Sequence, residues 1–200
     1  DYDNGYATKR EEIIKTIVRE TKGDLVVATT GKTSRELFEI RKANGQPHCY
    51  DFLTVGSMGH SSSIALGVAL NKPNRRVWCL DGDGAALMHM GAMATIGALA
   101  PNNLVHVVIN NEAHESVGGQ PTIANKINFT KIAEGCNYKS VFHVSELDEL
   151  ASVLVDVQDM TGPIFIEVKA AIGSREDLGR PTTTPIQNKL AFMDNIRGKL

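Results

Sequence analysis

Two side chains that carry oxygen ligands, Asp83 and Asn111, follow two successive apolar segments of the sequence, 77–80 and 104–109. Each segment has the length and composition of a buried strand, and a helical pattern separates them. Because both strands of a right-handed β-α-β unit end at the same edge of the sheet, we expect the two side chains to converge. A carboxylate with neutral oxygens suits Mg²⁺ or Ca²⁺, and Mg²⁺ usually shares phosphate oxygens and water. The sequence therefore predicts a divalent cation site.

Glycines on both sides of Asp83 indicate what the cation would accompany. Gly82 and Gly84 permit close approach of the backbone to a ligand, and the N-terminus of the helix that follows favours negative charge. These residues predict a diphosphate bridged by the metal.

Two other phosphate-binding motifs match the sequence only in part. Residues 31–34 read Gly-Lys-Thr-Ser, like the end of a P-loop, but the glycine that opens that motif is missing, because Val26 and Val27 occupy the region. Gly82-Asp83-Gly84 could be half of a dinucleotide fingerprint, but Leu87 stands where the third glycine belongs. The acid between the glycines would also repel a pyrophosphate unless a metal intervened. The metal interpretation is therefore favoured.

The elements that must position these residues alternate along the chain, which predicts an α/β fold: a doubly wound, mostly parallel sheet of about six strands with helices on both faces. Thr33 and Glu36 predict a capping box for the second helix. Residues 1–7 are expected to be a linker and 8–200 a single domain. The predicted strands are 25–28, 49–53, 77–80, 104–109, 139–144 and 163–169, and the predicted helices are 8–23, 35–43, 61–70, 85–100, 129–134, 145–159 and 187–197.

Composition narrows the classes of partner and compartment. A net charge of -2 over 200 residues gives no reason to expect nucleic acid or an anionic membrane. Three cysteines without a CxxC pair indicate a reducing, cytoplasmic setting. The chain begins at Asp1 rather than at a methionine, so we expect a piece of a longer polypeptide.

The metal motif resembles the signature of thiamine-diphosphate-dependent enzymes, in which Gly-Asp-Gly is followed at this spacing by Asn-Asn, here Asn110-Asn111. The likeness extends to the segments TTGKTSRELFE, DFLTVGSMGH, LDGDGAALMHMGA, VVINNEAHESVGGQPT and REDLGRPTTTP. Together they resemble the carboxy-terminal half of phosphonopyruvate decarboxylases, with the β subunits of sulfopyruvate decarboxylase as the next similar type. Glu112 stands where that pattern usually has glycine.

The resemblance implies thiamine diphosphate and Mg²⁺ as cofactors, with Asp83, Asn111 and the Ala113 carbonyl as metal ligands. Gly56 would offer its backbone to the aminopyrimidine, and Met58 would be the apolar wedge that bends the cofactor. The full set of cofactor-binding residues that it implies is Thr30, Gly31, Thr33, Gly56, Ser57, Met58, Gly82, Asp83, Gly84, Ala85, Asn111 and Ala113.

The implied activity is decarboxylation of a 2-keto acid, with phosphonopyruvate as the expected substrate and sulfopyruvate or another keto acid as the alternative. The family glutamate that contacts the aminopyrimidine lies in none of these motifs, so we expect a pyrimidine-binding partner domain, contributed by a neighbouring subunit of a homo-oligomer. His114 follows the metal loop and could transfer a proton or bind the anionic head of the substrate; a solvated loop histidine is the alternative. A cofactor-free scaffold subunit is the non-enzyme alternative.

Overall fold

A computed structural model describes residues 2–199, and its centre is a six-stranded parallel sheet. The strands are β1 (Leu25–Ala28), β2 (Asp51–Leu53), β3 (Val77–Gly82), β4 (Leu104–Asn110), β7 (Ser140–Val144) and β8 (Ile164–Lys169), in the order β2-β1-β3-β4-β8-β7. A separate two-stranded hairpin pairs β5 (Ala113–His114) with β6 (Gln120–Pro121) in antiparallel register. The predicted sheet is confirmed.

Helices cover both faces of the sheet, as the doubly wound prediction requires. The helices are α1 (Arg10–Glu20), α2 (Lys32–Ala43), α3 (Ser61–Asn71), α4 (Asp83–Met88), α5 (Gly91–Leu99), α6 (Phe129–Gly135), α7 (Leu147–Gln158) and α8 (Pro185–Ile196). Ile14, Leu37 and Leu154 pack α1, α2 and α7 against one face. Ala65, Ile96 and Phe192 pack α3, α5 and α8 against the other. Successive residues of a strand point to opposite faces, so the near-continuous apolar strands are buried on both sides.

The order of the strands determines where a ligand can lie. The chain leaves β1 toward β2 and then returns to place β3 on the other side of β1, which makes the β1–β3 boundary a topological switch point. Ligands of open α/β sheets bind beside the carboxyl ends of the strands at such a point. Gly82 at the end of β3 pairs with Ile109 in β4, so Asp83 and Asn111 follow neighbouring strand ends.

Two local predictions are wrong. The helix expected over 85–100 is two helices, because His89 leaves the helical conformation (φ −135°, ψ 48°) and its ring lies 4.2 Å from that of His60. The capping box expected from Thr33 and Glu36 does not form, because α2 begins at Lys32 with Gly31 as the N-cap. Gly31 has a φ of +98°, a conformation that glycine adopts without steric cost.

The segment predicted as a linker contains no helix or strand in residues 2–7, but it contacts the sheet edge. The Asn4 side-chain amide donates to the carbonyls of Asn111 and Ala170, both at 2.8 Å. Within residues 2–199, no helix has the length and apolar character needed to cross a membrane.

Candidate functional site

A polar cavity lies at the carboxyl ends of β1, β3 and β4, between the metal loop and the N-terminus of α2. Most of the predicted site residues line it: Thr30, Thr33, Met58, Gly82, Asp83, Gly84, Ala85, Asn111, Ala113 and His114. Residues from four separate segments of the sequence therefore meet in one place.

Gly31, Gly56 and Ser57 lie beside this cavity. Gly31 packs so closely on the segment after His114 that an added Cβ would lie 3.3 Å from the Ser116 Cβ. Gly56 and Ser57 belong to an exposed loop in which both residues have positive φ values, 69° and 45°. The Gly56 N–H donates to the Thr30 hydroxyl at 3.1 Å, so this loop is tied to the end of β1.

Asp83 is the buried acid of the site, with 2% of its surface exposed. Its carboxylate accepts a hydrogen bond from the Thr122 hydroxyl at 2.6 Å, and this bond and the nearby backbone N–H groups, that of Asn111 among them, lower its pKa. Burial nevertheless raises the pKa of Asp83 above its ordinary value. The Asp83 carboxylate therefore lies in the same cavity wall as Asn111, in surroundings where a cation would stabilise its charge.

Asn111 and Ala113 present neutral oxygens next to this carboxylate. The Asn111 side-chain carbonyl accepts from the Ala113 N–H at 3.2 Å, which fixes the orientation of the amide. Pro121 lies opposite Ala113 in the hairpin and has no N–H, so it cannot donate to the Ala113 carbonyl. The three residues supply the hard oxygen donors that Mg²⁺ prefers.

Glu115, which sequence reasoning missed, organises the opposite side of the cavity. Its carboxylate accepts from the Asn111 side-chain amide at 2.6 Å, forms an ion pair with Arg10 and lies 3.2 Å from the Lys32 Nζ. Burial raises the pKa of Glu115, but Arg10 and then Lys32 lower it by more, so the pKa lies below its ordinary value. Arg10 also donates to both carboxylate oxygens of Glu36, at 2.7 and 2.9 Å.

Arg10, Thr122 and Glu115 thus complete a network that no local motif indicates. Each of these residues joins segments that are far apart in the sequence. The one local indication of the network was an acid, Glu115, four residues after Asn111.

His114 lies over the start of α4 and explains why the metal motif has a glycine at position 84. A Cβ added to Gly84 would lie 2.6 Å from the His114 Nδ1, so any larger residue would displace the ring. Gly82 has open space around it instead. The half-buried imidazole therefore lines the cavity beside Gly84, the residue that follows Asp83.

Glu112 has the left-handed φ of 60° that favours glycine, which is the residue its motif usually carries. Its buried carboxylate accepts from the Tyr2 hydroxyl at 2.5 Å and lies 3.6 Å from the Lys169 Nζ. Glu112 is not among the residues that line the cavity. Its additional negative charge is therefore balanced outside the cavity.

The residues present fit a diphosphate held through a divalent cation. Hard oxygen donors lie at the ends of β3 and β4, and α2, whose first turn contains no acidic residue, begins at the cavity with Lys32 and Thr33. The buried Thr29 hydroxyl lines the same cavity and has no hydrogen-bond partner within residues 2–199, so it is available to a ligand.

Comparison with known proteins relates most of this chain to one family. The family described as thiamine pyrophosphate enzyme, C-terminal TPP binding domain, matches residues 29–168. A phosphonopyruvate decarboxylase from Streptomyces viridochromogenes is 41% identical over 81% of this chain, which covers 39% of that protein. The chain thus spans about two fifths of the length of such relatives.

Other relatives are closer to this chain in length. The sulfopyruvate decarboxylase subunit beta of Methanothermobacter thermautotrophicus is 34% identical, with 84% of this chain and 85% of the relative covered. The subunit beta of Methanococcus maripaludis is 32% identical, with 94% and 97% covered. A solved structure from Mycobacterium smegmatis aligns with a TM-score of 0.69 over 83% of this chain and 32% of its own, at 21% identity, which supports the fold alone.

Proposed function

Because this chain belongs to the family of C-terminal TPP-binding domains of thiamine pyrophosphate enzymes, we propose that it is the diphosphate-binding half of a 2-keto acid decarboxylase. The observation that carries this proposal is that Asp83 and Asn111, which follow neighbouring strand ends, line the wall of one cavity. This placement brings together the two halves of the family motif.

In this proposal Asp83, Asn111 and the Ala113 carbonyl hold Mg²⁺, and the ion binds the diphosphate of the cofactor. Asp83 neutralises part of the cation's charge, and Thr122 orients the Asp83 carboxylate. Thr30, Thr33 and the free Thr29 hydroxyl lie on the other wall, with Gly31 beside it, where the start of α2 favours phosphate oxygens. Gly82, Gly84 and Ala85 permit close approach of the backbone.

The exposed loop of Gly56, Ser57 and Met58 is assigned to the aminopyrimidine side of the cofactor. Met58 is the residue of this loop that lines the cavity, which suits an apolar wedge, while Gly56 and Ser57 are exposed and would be free to contact a partner. The glutamate that this chemistry requires would come from a pyrimidine-binding domain, with the site completed in a homo-oligomer or by a second subunit type. Relatives named as a subunit beta support the need for a partner.

We infer phosphonopyruvate as the substrate, converted to phosphonoacetaldehyde and CO₂, because the phosphonopyruvate decarboxylases have the higher identity to this chain; sulfopyruvate is the second candidate. Thiamine diphosphate, when bound, supplies the carbon nucleophile and the electron sink that loss of CO₂ requires. His114 would donate a proton or a hydrogen bond to the reacting substrate from its position over Gly84. Three free cysteines are consistent with a reducing, cytoplasmic setting.

The proposal is tested by calorimetry on the enzyme assembled with its pyrimidine-binding partner. Thiamine diphosphate with Mg²⁺ should bind, and Asp83→Ala should weaken binding at least about 100-fold, in line with the loss of a charged ligand. Asp156→Ala, which removes an exposed acid from α7, is the matched control and should bind normally. The chain alone should bind the cofactor weakly and release no CO₂ from phosphonopyruvate. No binding by the assembled wild type would favour a cofactor-free scaffold, and equal binding by wild type and Asp83→Ala would refute the role assigned to Asp83.

A further inference from the structure

Several cationic side chains around the site already have carboxylate partners. Arg10 and Lys32 are paired with Glu115 in the diphosphate cavity. In the segment after β8, Arg175 forms ion pairs with Glu11, Glu39 and Asp177. Binding a substrate anion at any of these residues would require an existing ion pair to break.

A second cavity, of about 270 Å³, lies next to the first, and the side chains that line it carry a different set of charges. Its walls come from the end of β1, the start of α2, the loop after β2 and residues 180–188. Arg35 and Arg180 are the two charged residues that line it, and across residues 2–199 neither has an ion-pair partner. The lining contains no carboxylate, so its electrostatic potential favours an anion.

Two hydroxyl groups add hydrogen-bond donors to the arginines. The Thr54 side chain lines the second cavity, is 5% exposed, and has a buried Oγ1 that finds no partner in the described part of the chain. A buried hydroxyl without a partner is costly unless a ligand satisfies it. The Thr30 hydroxyl accepts the Gly56 N–H, so its own proton remains free to donate. Thr30 lines both cavities and therefore connects them.

The segment that carries Arg180 is held in place by the rest of the fold. The Gly179 N–H donates to Glu39 at 3.0 Å, and Glu39 also pairs with Arg175. On the other side, Thr184 caps α8 through a hydrogen bond from the Gln187 N–H at 3.2 Å. Arg180 is thus anchored within a few residues on both sides, opposite the start of α2.

We propose that this second cavity binds the tetrahedral anionic head group, phosphonate or sulfonate, of the substrate, with Arg35 and Arg180 as its charged contacts and Thr54 as a hydrogen-bond donor. The inference rests on the proposed function for the identity of the keto acid. Two guanidinium groups match an acceptor with three oxygens and up to two negative charges, because planar N–H pairs bind phosphate-type oxygens in bidentate geometry. A substrate with a second carboxylate in place of this head group would offer the two arginines fewer oxygens and one charge.

The test uses the assembled enzyme and the variants Arg35→Gln, Arg180→Gln and Thr54→Val, with Arg197→Gln as a control that removes one exposed positive charge outside the cavity. Calorimetry with methylphosphonate and with methanesulfonate measures head-group binding without turnover. Each arginine variant should weaken methylphosphonate binding about 10- to 100-fold, the effect of losing one charge-assisted contact. The KM for the keto acid should rise by a similar factor while kcat changes little. Thr54→Val should have a smaller effect of about 5-fold.

The outcomes separate this inference from the proposed function. Thiamine diphosphate affinity should be unchanged in all four variants, which also shows that they fold. Tighter binding of methylphosphonate than of methanesulfonate in wild type identifies phosphonate as the head group, and the reverse order identifies sulfonate. Unchanged binding of both probes in Arg35→Gln and Arg180→Gln overturns the inference, even if the cofactor binds. Loss of probe binding in those variants, with their melting temperatures unchanged, supports the inference even if wild type binds no cofactor.

Discussion

Replacing Thr122 with valine tests whether the Asp83 carboxylate is held in place by a residue outside the metal motif. Valine keeps the shape of the side chain but removes the hydroxyl that donates to Asp83 at 2.6 Å and accepts from the Ala124 N–H at 3.2 Å. A hydrogen bond to a charged group contributes about 1.5–3 kcal/mol and a neutral one about 1 kcal/mol. The free energy of unfolding without metal should therefore fall by roughly 3 kcal/mol, because Thr122 is buried and water cannot replace the lost donor.

For a domain of this size that loss corresponds to a melting temperature roughly 6–12 °C lower. Mg²⁺ affinity in the presence of thiamine diphosphate should also fall about 10- to 100-fold, the usual effect of removing a group that orients a metal ligand. Differential scanning calorimetry and Mg²⁺ titration measure the two effects. Thr130→Val is the matched control, because its hydroxyl makes a bond of the same 2.6 Å length to the exposed Asn128 amide. Equal stability and equal Mg²⁺ affinity in Thr122→Val and Thr130→Val would refute the reasoning.

Three further changes test other parts of the structure. Gly84→Ala should lower kcat at least about 10-fold with little change in Mg²⁺ affinity. The added Cβ would lie 2.6 Å from the His114 Nδ1 and must therefore move the ring. Steady-state kinetics that match wild type would contradict the position assigned to His114. Asn4→Ala should lower the free energy of unfolding by about 1–2 kcal/mol in chemical denaturation, since it removes two hydrogen bonds of 2.8 Å to backbone carbonyls. An unchanged denaturation midpoint would show that residues 2–7 do not stabilise the site. Burial raises the pKa of Glu167, but the Asn110 amide and Lys169 lower it by more, so the pKa is below its ordinary value. The ionised Glu167 carboxylate therefore stabilises the fold above about pH 4.5 and loses that effect as the pH falls. The free energies of unfolding of wild type and Glu167→Gln should converge in acid.

The convergence of Asp83 and Asn111 could be predicted from the sequence because it depends only on the strand order of one β-α-β unit. Two apolar strands with a helix between them end at the same edge, whatever packs around them. The contacts of Gly84 with His114 were not predictable from that argument, but the glycine itself indicated close approach. The sheet was predictable for a similar reason. Buried parallel strands appear in the sequence as short apolar runs, so local composition is enough to locate them.

The second half of the site could not be predicted, because it is built by contacts between distant segments. Arg10 and Glu115 are 105 positions apart, and Thr122 is 39 positions from Asp83. The capping box at Thr33 was a plausible local pattern, but Glu36 bonds to Arg10 instead. The break near His89 contains no proline, and the Gly91 that follows it is tolerated inside helices, so it did not by itself indicate that the helix ends there.

The most direct test of the metal site replaces Mg²⁺ with paramagnetic Mn²⁺ in the assembled enzyme with thiamine diphosphate and measures ³¹P hyperfine coupling by electron–nuclear double resonance. If Asp83 and Asn111 hold the cation against the diphosphate, wild type should show one strongly coupled, cofactor-dependent Mn²⁺ per chain, and Asp83→Ala should lose both the bound ion and the coupling. Asp156→Ala should retain both signals. Mn²⁺ that binds wild type without phosphorus coupling, or that shows the same coupling in Asp83→Ala, would contradict the assignment.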